Sequence, residues 1–216
     1  MRKSTCRQQV IDFIKDMILA GEIKAGDRIK EAYIAAATGL SRVPVREALV
    51  ELCQEGLLQF EPNKGASVIK PTAEDLSTSY EVCGLLEGYL AATSLPLYTR
   101  NDFAILEEVL AQMRTVQNSS RDLKALSDLD FKFHDLIISV SDNPLLINFA
   151  RIHNAKFEHF FFFPYGEEAF GVDAFYERHL EVYESLKSND AYTVETTMRR
   201  HYADCARRTA RYAAML

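Results

Sequence analysis

The sequence predicts a mostly α protein: an N-terminal winged helix-turn-helix over residues 1–70, then an all-α helical bundle over residues 71–216. Three observations carry that expectation. Val45, Ala48, Leu49 and Leu52 recur at i, i+3, i+4 and i+7, the spacing of a helix with one buried face, behind a Ser41-Arg42-Val43-Pro44 start. Two β-prone runs, Leu57 to Glu61 and Ala66 to Lys70, flank a Pro62-Asn63-Lys64-Gly65 turn and read as a hairpin. Beyond Pro71-Thr72 the apolar spacing is helical almost to the C-terminus, interrupted only at short Pro, Gly, Asn and Ser breaks.

Taken in order, a first helix runs from about Thr5 to Ala20, with Val10, Ile14, Met17 and Ile18 inward and Gly21 at its end. A short second helix from Lys30 to Thr38 places Ile34 and Ala35 on its apolar side and stops at Gly39. Ser41 then serves as the N-cap of the third helix, its hydroxyl expected to accept a first-turn amide. Pro44 lies in that first turn, where its missing N–H matters little. Two short helices joined by a Gly-containing turn make a helix-turn-helix, and the hairpin makes it winged.

In the second domain, Thr72 N-caps a helix carrying Glu74 and Asp75 in its first turn, where the helix dipole favours acids. Helices are expected near 72–95, 100–118, 122–141, 143–163, 170–188 and 190–214. The run Phe160 to Phe163 is too short to cross a membrane and reads as core ahead of a pocket wall or a dimer surface.

Charge separates the halves. The chain has a formal net charge of −6, yet residues 1–70 hold 11 Lys and Arg against 9 Asp and Glu, while residues 71–216 hold 14 against 22. A mildly basic head on an acidic body suits a protein that turns its head towards phosphates and keeps its body away. No apolar stretch approaches the roughly 18 residues of a membrane span, and the N-terminus lacks a signal-peptide apolar run. Cys6, Cys53, Cys83 and Cys205 show no Cys-x-x-Cys spacing, which fits a reducing cytoplasm without disulfides.

Arg42 and Arg46 lie four apart on the third helix, off its apolar stripe. A short helix with a buried back and two forward guanidinium groups fits a DNA major groove, where arginine forks match guanine O6/N7 and phosphate oxygens. Lys64 at the hairpin tip is placed for a phosphate or the minor groove. The competing reading is a surface helix with two solvated arginines.

The bundle carries a second chemistry. Asp130 and His134 fall at i and i+4 within the stripe Leu123, Leu126, Phe133, Ile137 and Val140. His179 lies within the stripe Phe175, Val182 and Leu186, and His201 within Val194, Met198 and Cys205. Four metal-ligand side chains therefore project inwards from three helices. An inward carboxylate is costly unless paired or metal-bound, and bundle cores commonly house metal sites. A buried Asp–His hydrogen-bond network is the alternative.

Residues 10 to 68 resemble the DNA-binding head of the GntR family of bacterial transcription regulators. The resemblance rests on Ala20-Gly21-Glu22-Ile23, Gly26-Asp27-Arg28-Ile29, Ser41 through Leu49, Glu55-Gly56-Leu57 and Asn63-Lys64-Gly65. It implies DNA contacts from Ser41, Arg42, Val43, Pro44 and Arg46, and from Asn63, Lys64 and Gly65 of the wing. Ala25 stands where that family usually has proline, and Val43 where it usually has threonine, so one polar DNA contact is in doubt.

The second half resembles the FCD effector domain of the FadR branch. The matching pieces are Asp130-Phe131-Lys132-Phe133-His134, Ser141 through Leu145, Arg178-His179-Leu180 and Met198-Arg199-Arg200-His201. The resemblance implies that Asp130, His134, His179 and His201 bind one divalent cation per chain, most readily Zn²⁺, with Ni²⁺ or Mn²⁺ as alternatives. It also implies a homodimer on a palindromic operator and a small carboxylate effector. Cys83 stands where the family usually has an arginine lining the effector pocket, with Arg151 as a candidate substitute.

The expected activity is a non-enzymatic transcriptional regulator, a repressor released when a small organic acid binds at the metal. The nearest alternative is a purely structural metal with the effector elsewhere. A His3Asp metalloenzyme is disfavoured: the His134-Asp135 pair lacks the upstream histidine of HD-type phosphohydrolases. The order of ligands also differs from that of iron and manganese superoxide dismutases.

Overall fold

The computed structural model describes residues 5–61, 64–70, 72–161 and 171–213. Its contacts divide the chain after Lys70 into two compact units.

In the first unit α1 (Cys6–Leu19) starts where the Thr5 hydroxyl accepts from the Gln8 amide at 3.1 Å. Its Val10, Ile14, Met17 and Ile18 are buried. Helix α2 (Glu31–Thr38) ends at Gly39, whose φ of 69° is the left-handed conformation that closes a helix without a Cβ penalty. Helix α3 (Arg42–Gln54) buries the expected stripe, Val45, Ala48, Leu49 and Leu52. Ser41 occupies the N-cap with extended backbone, but its hydroxyl makes no capping bond, contrary to expectation. Strands β1 (Leu58–Glu61) and β2 (Gly65–Val68) pair antiparallel in the register Leu58↔Val68 to Glu61↔Gly65. A bridge from Arg28 to Ser67 ties the α1–α2 connection to this wing.

Among the described residues the elements of the second unit are all helices. Helix α4 (Ala73–Thr93) and α5 (Arg100–Asn118) each begin with a reciprocal capping box, Thr72 with Asp75 and Thr99 with Asp102. Helix α6 (Leu123–Ser139) is capped by Asp122, which accepts from the Lys124 and Ala125 amides. Next come α7 (Pro144–Phe161), α8 (Phe175–Lys187) and α9 (Ala191–Ala213). The helix expected from residue 170 starts only at Phe175. Gly171 has a left-handed φ of 71°, and a 3-10 turn over Val172–Ala174 intervenes. The Phe160 to Phe163 run falls where side chains lie outside the described residues.

Helix α9 packs along α4, α7 also packs on α4, and α5 lies against α6 and α8. Two glycines set the closest approach. A Cβ on Gly84 would sit 3.2 Å from the Arg199 Cα, and one on Gly88 would sit 3.3 Å from the Glu195 carbonyl oxygen. One turn apart, they let α9 lie directly on α4. The core between the helices includes Leu106, Met113, Leu126, Phe133, Val182 and Met198, all essentially inaccessible. Among the described residues no helix is long and apolar enough to cross a membrane.

Candidate metal centre and nucleic-acid interface

Three histidines meet inside the bundle. His134 on α6, His179 on α8 and His201 on α9 are 1 %, 1 % and 8 % exposed, and each offers a ring nitrogen within 4.8 Å of the other two. Their ring centroids are 5.0–5.6 Å apart. Each owes its position to the apolar stripe it shares, since Phe133, Ile137, Phe175, Val182, Val194 and Met198 around them are buried. Asp130, one turn before His134, is half-buried and is not a member of this tight group. Its Oδ1 lies 2.6 Å from His179 Nε2.

The hydrogen bonds orient the imidazoles. His134 Nδ1 is 2.7 Å from Glu87 Oε2, with the Tyr202 hydroxyl at 3.2 Å, so Nδ1–H donates to the carboxylate and Nε2 points elsewhere. That Nε2 is buried and finds no hydrogen-bond partner, and the same is true of His201 Nδ1. His179 Nδ1 lies 2.7 Å from the Phe175 carbonyl, an acceptor, so it carries the proton. The lone pair of a neutral Nε2 then faces the Asp130 carboxylate, two acceptors at 2.6 Å with nothing between them but a proton or a cation.

Burial alone disfavours the charged form of all three rings. For His179 it prevails over the Asp130 carboxylate and lowers the pKa. For His201 burial is reinforced by the neighbouring His179 and His134 and pushes the pKa well down. For His134 burial is outweighed by Glu87, and the pKa is raised. His179 and His201 are thus held as neutral imidazoles, the form that binds metals, while a carboxylate backs the third ring in the manner of outer-shell partners. Two orphaned buried ring nitrogens and one acceptor–acceptor contact are the pattern expected where a divalent cation belongs.

Glu87 was not singled out by the sequence reading. It is fully buried on α4 among Cys83, Gly84, Gly88, Leu90 and Ala91, positions that form no narrow apolar stripe for a carboxylate to interrupt. The two residues suggested for an effector pocket fare differently. Cys83 is buried in the apolar core. Arg151 is an outward residue, with its Nε 2.6 Å from Asp135 Oδ1 and an Nη 2.8 Å from the Ser139 hydroxyl. Asp135 itself sits one step round α6 from His134 and leaves the inner face.

On the head, Ser41, Arg42 and Val43 are exposed, and Pro44 is half-buried at the start of α3. Arg46 projects outwards, yet its Nε donates to Glu31 Oε2 on α2 at 2.9 Å, a pair sequence spacing does not reveal. Lys64 projects from the wing and meets Glu61 at 2.6 Å, next to Gly65 with its positive φ. Asn63 lies outside the described residues.

Residues 6–68 match the gntR family of bacterial regulatory proteins, and residues 78–204 match the FCD domain. The chain belongs to the GntR family and carries an FCD domain. It is similar to the uncharacterized HTH-type transcriptional regulator YdhC of Bacillus subtilis, 27 % identical over 91 % of this chain and 88 % of the relative. The HTH-type transcriptional repressor RspR of Escherichia coli is 24 % identical over 90 % of this chain and 84 % of the repressor. The solved structure of E. coli McbR/YncC superposes with a TM-score of 0.75 at 20 % identity, covering 98 % of both chains. The mostly α fold, the winged helix-turn-helix and the helical second domain expected of a GntR/FCD protein are thus established, and the relatives are transcription regulators rather than enzymes.

Proposed function

We propose that this GntR/FCD regulator is a homodimeric repressor that binds a palindromic operator through α3 and the wing, and that a small organic acid bound at a divalent metal in the bundle releases it. The observation that carries the effector half is the set of converging buried ring nitrogens of His134, His179 and His201, two of which have no other partner. Zn²⁺ suits three neutral imidazoles and a carboxylate best, with Asp130 completing the set and Ni²⁺ or Mn²⁺ as alternatives. A cation held there supplies a Lewis-acid position for an anionic ligand.

DNA recognition falls to Arg42 and Arg46 as base or phosphate readers, with Ser41, Val43 and Pro44 shaping the end of α3 that enters the groove. Lys64, with Gly65 and Asn63, serves the flanking backbone. The Ser41 hydroxyl, not used in capping, is available to a phosphate. The Glu31 contact holds Arg46 extended until the nucleic acid displaces it.

Dimerisation is supported by an apolar face on two packed helices. Leu85 and Tyr89 on α4, and Leu145, Phe149 and Ile152 on α7, are all exposed and spaced by single turns. Such a stripe is what a second copy would cover.

A second reading, in which the cation only pins the bundle, is favoured by how little of the three histidines reaches solvent. The test measures binding to an operator selected from random duplexes, with and without small carboxylic acids, before and after chelation. Release by an acid that vanishes on chelation and returns with Zn²⁺ supports regulation through the metal. Chelation that lowers only thermal stability, with no acid affecting DNA binding, supports the structural reading.

A further inference from the structure

Two half-buried arginines that the DNA-binding and metal readings leave unused converge beside the three-histidine site. A Cβ placed on Gly171 would lie 3.0 Å from Arg208 Nε and 3.2 Å from both Nη atoms of Arg178, so the two guanidinium groups share the space over one Cα. Only a residue without a side chain leaves that space open. Arg178 directly precedes His179, donates to the Gly171 carbonyl at 2.9 Å, and lies 6.0 Å from the Phe175 ring. That ring is in turn 4.4 Å from the His179 imidazole.

Arg208 reaches the same place from α9. It follows His201 by seven residues and Cys205 by three, on the same face of the helix. Its side chain turns back towards His201, with one Nη on Asp204 and the other 3.1 Å from Cys205 Sγ. Its Nε is buried and has no partner. Seven residues of helix rise roughly 10 Å, and the backward lean of the side chain shortens the gap to the histidines. Asp204 offsets part of the Arg208 charge, yet burial together with Arg178 still lowers the Arg208 pKa to about 10. An anion between the two guanidinium groups would ease their crowding and satisfy the idle Arg208 N–H.

We propose that Arg178 and Arg208 form an anion subsite next to the histidine centre, so that the effector carries two anionic groups and belongs to the short-chain dicarboxylic acids. One carboxylate is directed at the three-histidine site, the other at the guanidinium pair, whose forks match a carboxylate geometrically. This inference rests on the metal-anchored effector reading above.

The experiment is isothermal titration of the Zn²⁺-loaded full chain with glutarate and with valerate, which share five carbons and differ by one carboxylate. Glutarate is expected to bind at least about tenfold tighter. Arg208→Gln and, separately, Arg178→Gln should bring the two acids to similar affinity by weakening glutarate alone, with Zn²⁺ stoichiometry unchanged. Arg208→Lys, which keeps the charge and fills similar space, guards against misfolding and should retain part of the preference. Equal affinities in the wild type, or a preference that survives both Gln variants, would overturn the subsite while leaving the metal-anchored effector standing. Binding of neither acid, or binding that persists unchanged in His201→Ala, would overturn the metal-anchored reading itself.

Discussion

In the head, Arg46 meets Glu31 with 65 % of its side chain in solvent, whereas in the bundle His134 meets Glu87 with 1 % and 0 % of theirs. Both contacts are ion pairs on paper, and they do opposite things. An exposed pair is screened and contributes on the order of 0–1 kcal/mol, so Arg46 can change partners at little cost. A buried pair repays its desolvation only if its geometry is kept, so Glu87 and His134 act as a fixed frame. On the reading proposed above, the head keeps its recognition charges exchangeable, while the bundle locks its own to aim ring nitrogens at a common point.

Removing one member of each pair sharpens the contrast. Glu87→Ala should be the most damaging change, destabilising the chain by about 3–5 kcal/mol in urea unfolding, because it leaves His134 buried without its acceptor. Glu87→Gln, which can still accept from Nδ1–H, should unfold later than Glu87→Ala yet bind Zn²⁺ about 10–100-fold more weakly than the wild type. Equal stability of all three proteins would show that the buried pair frames nothing.

Arg46→Ala should behave in the reverse sense. Operator affinity should fall by about 1–3 kcal/mol, while unfolding shifts by less than about 0.5 kcal/mol. A loss of stability without loss of DNA binding would mean that Arg46 braces α2 against α3 and reads nothing.

The smallest expected effect lies at a helix end. The Thr72 backbone and side chain hold the Asp75 carboxyl below its usual pKa. A folded-state pKa below the unfolded one adds stability that is full above about pH 4 and is lost as pH falls through the lowered value. Thr72→Ala should cost about 1 kcal/mol near neutrality, with the difference from wild type narrowing in acid. A gap that widened in acid would contradict the capping account.

How much of this was legible beforehand depended on whether a feature is local. The α3 stripe of Val45, Ala48, Leu49 and Leu52 and the inward His134, His179 and His201 were readable because helical periodicity alone decides which way they face. The Arg46–Glu31 pair was not, since it joins residues 15 apart on two helices. Glu87 was hidden for a different reason. Helix α4 is covered on several sides, so Gly84, Gly88, Ala91 and Ala92 are buried without forming a narrow stripe that a carboxylate would visibly interrupt. The late start of α8 also escaped, because a left-handed Gly171 and a 3-10 turn leave the apolar spacing around Val172 and Phe175 intact.

The most direct test of the bundle as a metal centre is the metal content of protein purified without a metal-affinity tag, measured on the wild type and on His179→Ala. One divalent ion per folded chain in the wild type, absent from the variant, is the predicted result. A folded wild type that carries none and takes up no Zn²⁺, Ni²⁺ or Mn²⁺ on titration would contradict it, and would make His134, His179, His201 and Asp130 a polar network within the core.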